Sequence, residues 1–128
     1  MKLLLDTHAL VWWLFNDRRL GSRSRELIGD RSNEVAVSTI SAFEIATKHR
    51  IGKWPEVEAI ARDFAALVAA EDFRILPVDH AHALLAGRFP LNHKDPFDRI
   101  IAAQSQLEGM TLVTTDAAFQ GFDITVVW

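Results

Sequence analysis

Leu3-Leu4-Leu5-Asp6-Thr7-His8 is the stretch on which the fold turns. Three consecutive apolar residues suit a strand buried on both faces, as in the middle of a parallel sheet. The acid that ends the run, followed by Ala9-Leu10-Val11-Trp12-Trp13-Leu14, marks a change from strand to buried helix. Outward from there the same unit recurs. Ser22 or Ser24 is placed to cap a helix through Leu27 and Ile28, and Val35-Ala36-Val37-Ser38 is a second strand running into helix-like Ile40 to Arg50, closed by Gly52. After Pro55, the positions Val57, Ile60, Ala61, Phe64 and Val68 repeat at helical spacing. Ile75-Leu76-Pro77-Val78 reads as an edge strand, because Pro77 has no N–H for a ladder, and Asp79 caps a helix from His80 to Gly87. Asp95-Pro96 is an N-cap followed by proline at the first helical position, opening a helix through Ile100, Ile101, Ala102 and Leu107 to Gly109. Thr111 to Thr114 and Ile124 to Val127 supply two more strands. Strands alternating with helices specify an α/β fold in three layers, a mostly parallel central sheet with helices on both faces, as one domain over residues 1–128.

Composition limits the chemistry. The chain has 128 residues, 49% of them hydrophobic, enough for one sizeable core. No apolar run approaches the roughly 20 residues that cross a bilayer, and Asp6 interrupts the first one too early for a signal peptide, so a cytoplasmic protein without a membrane partner is expected. The absence of cysteine excludes disulfides and thiolate metal sites. A net charge of −3 gives no general attraction to nucleic acid, so binding to RNA or DNA would rest on a local basic patch or on metal ions.

In open parallel sheets, ligands bind beyond the carboxyl ends of the strands where strand order reverses. Asp6 and Asp116 follow strands there, Glu44 lies in the first turns of the helix leaving the second strand, and Asp98 lies in the first turn of the helix begun by Asp95-Pro96. Neither Asp6 nor Asp116 has a cationic sequence neighbour. Carboxylates so gathered repel one another unless a cation compensates, and Mg²⁺ or Mn²⁺, which take oxygen ligands, are the natural compensators. Two such ions about 3.5–4 Å apart suit an in-line phosphoryl displacement by water. Each acid also has a plainer reading. Asp6 suits the N-cap of the helix starting at Thr7, Ser41-Ala42-Phe43-Glu44 has the pattern of a capping box, Asp98 favours the helix dipole, and Asp116 caps a turn. Joint placement favours the site reading. Asp79 and Asp95 are assigned to capping.

The ordered set Leu3-Leu4-Leu5-Asp6-Thr7-His8, Ser41-Ala42-Phe43-Glu44-Ile45-Ala46-Thr47-Lys48, Asp95-Pro96-Phe97-Asp98-Arg99-Ile100-Ile101-Ala102-Ala103-Gln104 and Thr114-Thr115-Asp116 resembles the PIN domain of VapC-type toxins, across essentially the whole chain. The resemblance implies a Mg²⁺-dependent endoribonuclease toxin, inhibited by a cognate antitoxin protein and forming a homodimer. It implies that Asp6, Glu44, Asp98 and Asp116 are the catalytic and metal-binding acids, with Asp6 and Asp98 the foremost ligands. Thr7 and Thr115 match polar positions lining such sites, and Phe43 stands where relatives often carry tryptophan.

Lys48, His49, Arg50 and Lys53 form a basic run, and Arg99 adjoins Asp98; Arg99 and Lys48 are candidates for contacting RNA or pairing with an acid. His8, His49, His80, His82 and His93 lack ligand spacing, and His8 is assigned a supporting place beside the site. Trp12, Trp13, Trp54 and Phe64 read as core. Two other functions fit less well: a receiver-like phosphoacceptor switch, for which a late lysine is missing, and a non-catalytic PIN-fold interaction module. A dehalogenase-type phosphatase would need a second aspartate two positions after Asp6, where His8 stands.

Overall fold

The computed structural model describes residues 1–128. Leu3, Leu4 and Leu5 have no exposed surface, and this fixes β1 (Lys2–Leu5) at the centre of the sheet. β2 (Glu34–Ser38) pairs with it on one side and β4 (Thr111–Val113) on the other; β3 (Arg74–Leu76) and β5 (Val126–Val127) form the edges. Every pairing is parallel, in the order β3-β2-β1-β4-β5. The chain thus builds outward from β1 through β2 and β3, then crosses to the far side of β1, so strand order reverses between β1 and β4.

Strand pleat divides the core into two. Leu3, Leu5, Val35, Val37 and Val113 face one helical layer, built from α1 (Thr7–Leu14), α2 (Ser22–Gly29) and α4 (Glu58–Ala70). Leu4, Ala36 and Leu112 face the other, where α6 (Pro96–Glu108) supplies Ile101 and Ala102, and the turn at Ala117–Gly121 supplies Phe119. α3 (Thr39–Arg50) bridges the two layers, with Ile45 in the first core and Ile40 against the second. α5 (His80–Arg88) packs along α6. Trp12, Trp13, Trp54 and Phe64 are partly buried against the first core.

Several sequence expectations need correction. The sheet is wholly rather than mostly parallel. Neither Ser22 nor Ser24 caps α2: Gly21 is its N-cap, and Ser24 is fully buried one turn in. The helix expected after Pro55 starts with a tight turn at Pro55–Val57, and α4 departs from helical geometry at Asp63. The last strand shortens to two residues. The caps at Asp79 and Asp95 are as expected, each side chain accepting backbone N–H groups of its own first turn.

Arg99 departs furthest from expectation. Its guanidinium touches no acid; it donates to the carbonyls of Ala86 (2.7 Å), Phe89 (2.7 Å), Leu91 (3.0 Å) and His93 (2.8 Å), and stacks over the Phe89 ring. A planar fork of donors thus holds the connection between α5 and α6, which leaves Arg99 uncommitted to RNA. Arg99→Lys replaces that fork by a point charge, so urea unfolding should show a loss of about 2 kcal/mol or more at unchanged m-value. A loss below about 0.5 kcal/mol, the size of an ordinary surface change, would contradict this role.

Candidate active site

Asp6 stands where β1 gives way to α1. Its backbone is extended, its N–H continues the ladder to the Val113 carbonyl (3.1 Å), and its Oδ1 accepts the Ala9 N–H (2.7 Å). The capping reading is therefore correct and incomplete, because Oδ2 accepts the hydroxyl of Thr114 from the end of β4 (2.5 Å). Thr114 Oγ1 also accepts the N–H of Asp116 (3.0 Å), so one hydroxyl joins two of the acids. Asp116, exposed, caps the turn at Ala117–Gly121 through Oδ1.

Glu44 is only 5% exposed and is held on both oxygens: Thr7 donates to Oε1 (2.5 Å) and Lys48, one turn on, to Oε2 (2.5 Å). Since Thr7 gives its single proton to Glu44, Ser41 is left to donate to Thr7 across 2.9 Å. The capping-box reading of Ser41 to Glu44 is thereby overturned. β2 ends at Ser38, which is itself the N-cap of α3, so Glu44 sits in the second turn with its carboxylate turned toward α1. Asp98, at the third position of α6, bonds His93 Nε2 through Oδ2 (3.0 Å). Phe43 (60% exposed) and Phe97 meet edge-on, 5.6 Å between centroids, beside Glu44 and Asp98.

The electrostatics follow from burial. Desolvation pushes the Asp6 carboxyl up from 3.8 to about 6, opposed by the Thr114 and Ala9 bonds and reinforced by the charges of Glu44 and Asp116. Asp98 is likewise raised to about 6, by burial first and then by the charges of Asp95 and Asp116, with the His93 bond opposing. Asp116 acts on both, and so links the Asp6–Glu44 pair to Asp98. Burial holds the His8 imidazole below its ordinary value, although Glu44 and Asp116 pull it upward; His8 stands within electrostatic reach of the acids, as a supporting residue would.

The structure therefore brings the four expected acids to the carboxyl ends of β1 and β4 and the helix starts beside them. Thr7 joins them as expected. Thr115 does not: it is exposed and bonds nothing, and the linking hydroxyl is that of Thr114. Thr114, Ser41 and His93 are the residues that sequence reading missed. For Thr114 a signal existed, since a threonine hydroxyl commonly bonds the backbone N–H two residues on, here that of Asp116.

The donor set suits a hard divalent cation: all carboxylate oxygen, no thiol in the chain, and two raised acids with Lys48 the one cation bonded within the group. Asp98 Oδ1 and Asp116 Oδ2 accept no hydrogen bond from the protein. No three His, Asp or Glu side chains are drawn tightly enough onto one point to hold an ion, so this is a rim of acids rather than a closed cage. A separate cavity of about 160 Å³, between Trp13, Val35 and Phe73, lies at the opposite end of the strands and contains none of these acids.

A raised carboxyl stabilises the fold only while it is protonated. Its contribution is complete below 3.8, the unfolded value, and is lost as pH rises through about 6. For Asp6 that rise corresponds to about 3 kcal/mol. Asp6→Asn should therefore gain stability over the parent between pH 4 and pH 7 when urea unfolding is followed in EDTA; parallel pH profiles for the two proteins would refute the assignment.

Residues 3–124 match the PIN domain family. The chain is 32% identical over 120 residues to ribonuclease VapC22 of Mycobacterium tuberculosis (strain ATCC 25618 / H37Rv), covering 89% of this chain and 86% of that one. Among solved structures it is similar to VapBC2 of Rickettsia felis bound to a DNA fragment from their promoter (TM-score 0.71, 18% identity, 99% and 98% of the two chains). It is also similar to a toxin-antitoxin complex of Klebsiella pneumoniae (TM-score 0.69, 21% identity, 98% and 96%). The two structures share the fold, the family match spans the strand ends that carry the acids, and the chain belongs to the PIN domain family.

Proposed function

We propose that this chain is a divalent-cation-dependent endoribonuclease, the toxin of a toxin–antitoxin pair. One observation carries the reading: the cation-poor acids at the switch point of the sheet, where the buried Asp6 and the half-buried Asp98 are both raised to about 6. The name of the 32% identical relative supplies the substrate class, RNA, and the similar toxin-antitoxin complex supplies the kind of partner, a cognate antitoxin. The family resemblance adds a homodimer. No helix is long and apolar enough to cross a membrane.

In this reading Asp6 and Asp98 would hold Mg²⁺ or Mn²⁺, while Glu44 and Asp116 would help to bind a second ion or orient the attacking water. When bound, such an ion offsets charge on the phosphoryl oxygens and acidifies a coordinated water. The protein does the rest by position. Thr114 and the Ala9 N–H lock Asp6, His93 orients Asp98, and Thr7 and Lys48 fix Glu44. In the water-orienting role, the Oδ2 of the exposed Asp116, which accepts no hydrogen bond within the protein, would take the proton of the attacking water. Attack by water leaves 5′-phosphate and 3′-hydroxyl ends, whereas attack by the ribose 2′-hydroxyl would leave a cyclic phosphate.

End-labelled RNA incubated with the purified protein should be cut in Mg²⁺ to 5′-phosphate products. EDTA should abolish cleavage, and Asp98→Asn should slow it by roughly a hundredfold or more. Cleavage that survives both treatments would discard the mechanism; a protein that cuts no RNA but binds a partner would be a PIN-fold interaction module.

A further inference from the structure

Beyond the acids, the chain leaving α3 builds a second feature. Gly52 adopts φ +78 with nothing near the position of a Cβ, so conformation rather than space calls for glycine. The reversal lets the N–H groups of Lys53 and Trp54 both donate to the Lys48 carbonyl (2.9 and 3.1 Å), which returns Trp54 to the side of α3 that carries Glu44. There the indole packs against His8 at a tilt, with centroids 4.8 Å apart and planes 30° apart; His8 in turn meets Trp12 at 5.5 Å. Lys48 Nζ, already bonded to Glu44, lies 5.9 Å from the Trp54 centroid. The aromatic ledge thus begins within one nucleotide's reach of the acids.

An open cavity of about 410 Å³ sits on this ledge, lined by His8, Lys48, Lys53 and Trp54. Its lining holds two cations, two aromatic rings and no carboxylate. Lys53 is exposed, and its ammonium makes no hydrogen bond or ion pair within the protein. Past Trp54 the adjoining cavity sets Asp17 and Glu56 against Arg19 and Lys53, so the net positive stretch stops there. π-Faces for stacking with cations for phosphate are the combination that binds single-stranded nucleic acid. The extent is that of one base and one phosphate.

We propose that His8 and Trp54 seat one nucleobase of a single-stranded RNA substrate beside the acids, while Lys53 holds the adjoining phosphate. The proposal rests on the ribonuclease reading and adds where the strand lies. These are positioning residues. Binding of a fluorescein-labelled ten-adenosine RNA to the Asp98→Asn protein in Mg²⁺, followed by anisotropy across a range of NaCl concentrations, tests it. On that background Trp54→Ala should weaken binding roughly five- to a hundredfold, the loss of one stacked base, while Trp54→Phe retains most of the affinity. Lys53→Gln, a surface change that leaves folding intact, should reduce the slope of log affinity against log salt by about 0.7. Unchanged affinity and slope in all three variants would overturn the ledge, as would loss of a protein partner without loss of RNA. So would an Asp98→Asn protein that binds no single strand while the wild type cuts folded RNA, a result that leaves the nuclease reading standing. The expected losses alongside a wild type that cuts no RNA would uphold the ledge and remove the nuclease.

Discussion

The hydroxyl of Thr114 holds the site together. It donates to Asp6 and accepts from the Asp116 backbone, joining the ends of two strands 108 residues apart in sequence. That bond exists only because β1 and β4 are parallel neighbours in register, Leu5 opposite Val113, so that the residues following them emerge side by side. The pairing in turn depends on β1 being apolar on both faces and therefore central. An apolar tripeptide near the start of the chain thus decides where its first acid ends up.

The acids around that bond are not equivalent. Glu44 has a cation one helical turn away and hydroxyl support from α1, whereas Asp6, buried, and Asp98, half-buried, have hydrogen bonds but no bonded lysine or arginine. Arg99, the cation nearest Asp98 in sequence, is drawn off by four backbone carbonyls. An arginine paired with Asp98 would have met its charge from within the protein. The fold instead uses Arg99 to hold the connection that carries His93.

Much of this was legible in the sequence where the signal is local. The Leu3–Leu5 run, the Asp95-Pro96 cap and the proline-marked edge strand each follow from backbone chemistry within a few residues, and the structure shows all three. The placing of Asp6, Asp98 and Asp116 was legible as well, since each follows a strand or opens a helix at the same edge, and Glu44 joins them from the second turn of the helix that leaves β2. Readings that depended on phase fared worse. Ser41 to Glu44 matches a capping box in spacing, yet the helix starts at Thr39, so the pattern falls a turn late. Thr115 adjoins Asp116 in sequence, but it is the Thr114 hydroxyl, two residues back, that accepts the Asp116 N–H and reaches Asp6. Partners brought by loops, such as His93 for Asp98 and the carbonyls for Arg99, leave no periodic trace at all.

The central claim is that these acids form a divalent-cation site, and it is tested most directly by anomalous diffraction from crystals grown or soaked in Mn²⁺ above pH 7, where carboxyls raised to about 6 are ionised. The account predicts an anomalous peak bounded by Asp6, Asp98 and Asp116, lost in Asp98→Asn crystals. Saturating Mn²⁺ with no peak among these residues, or with its strongest peak elsewhere on the chain, would contradict it.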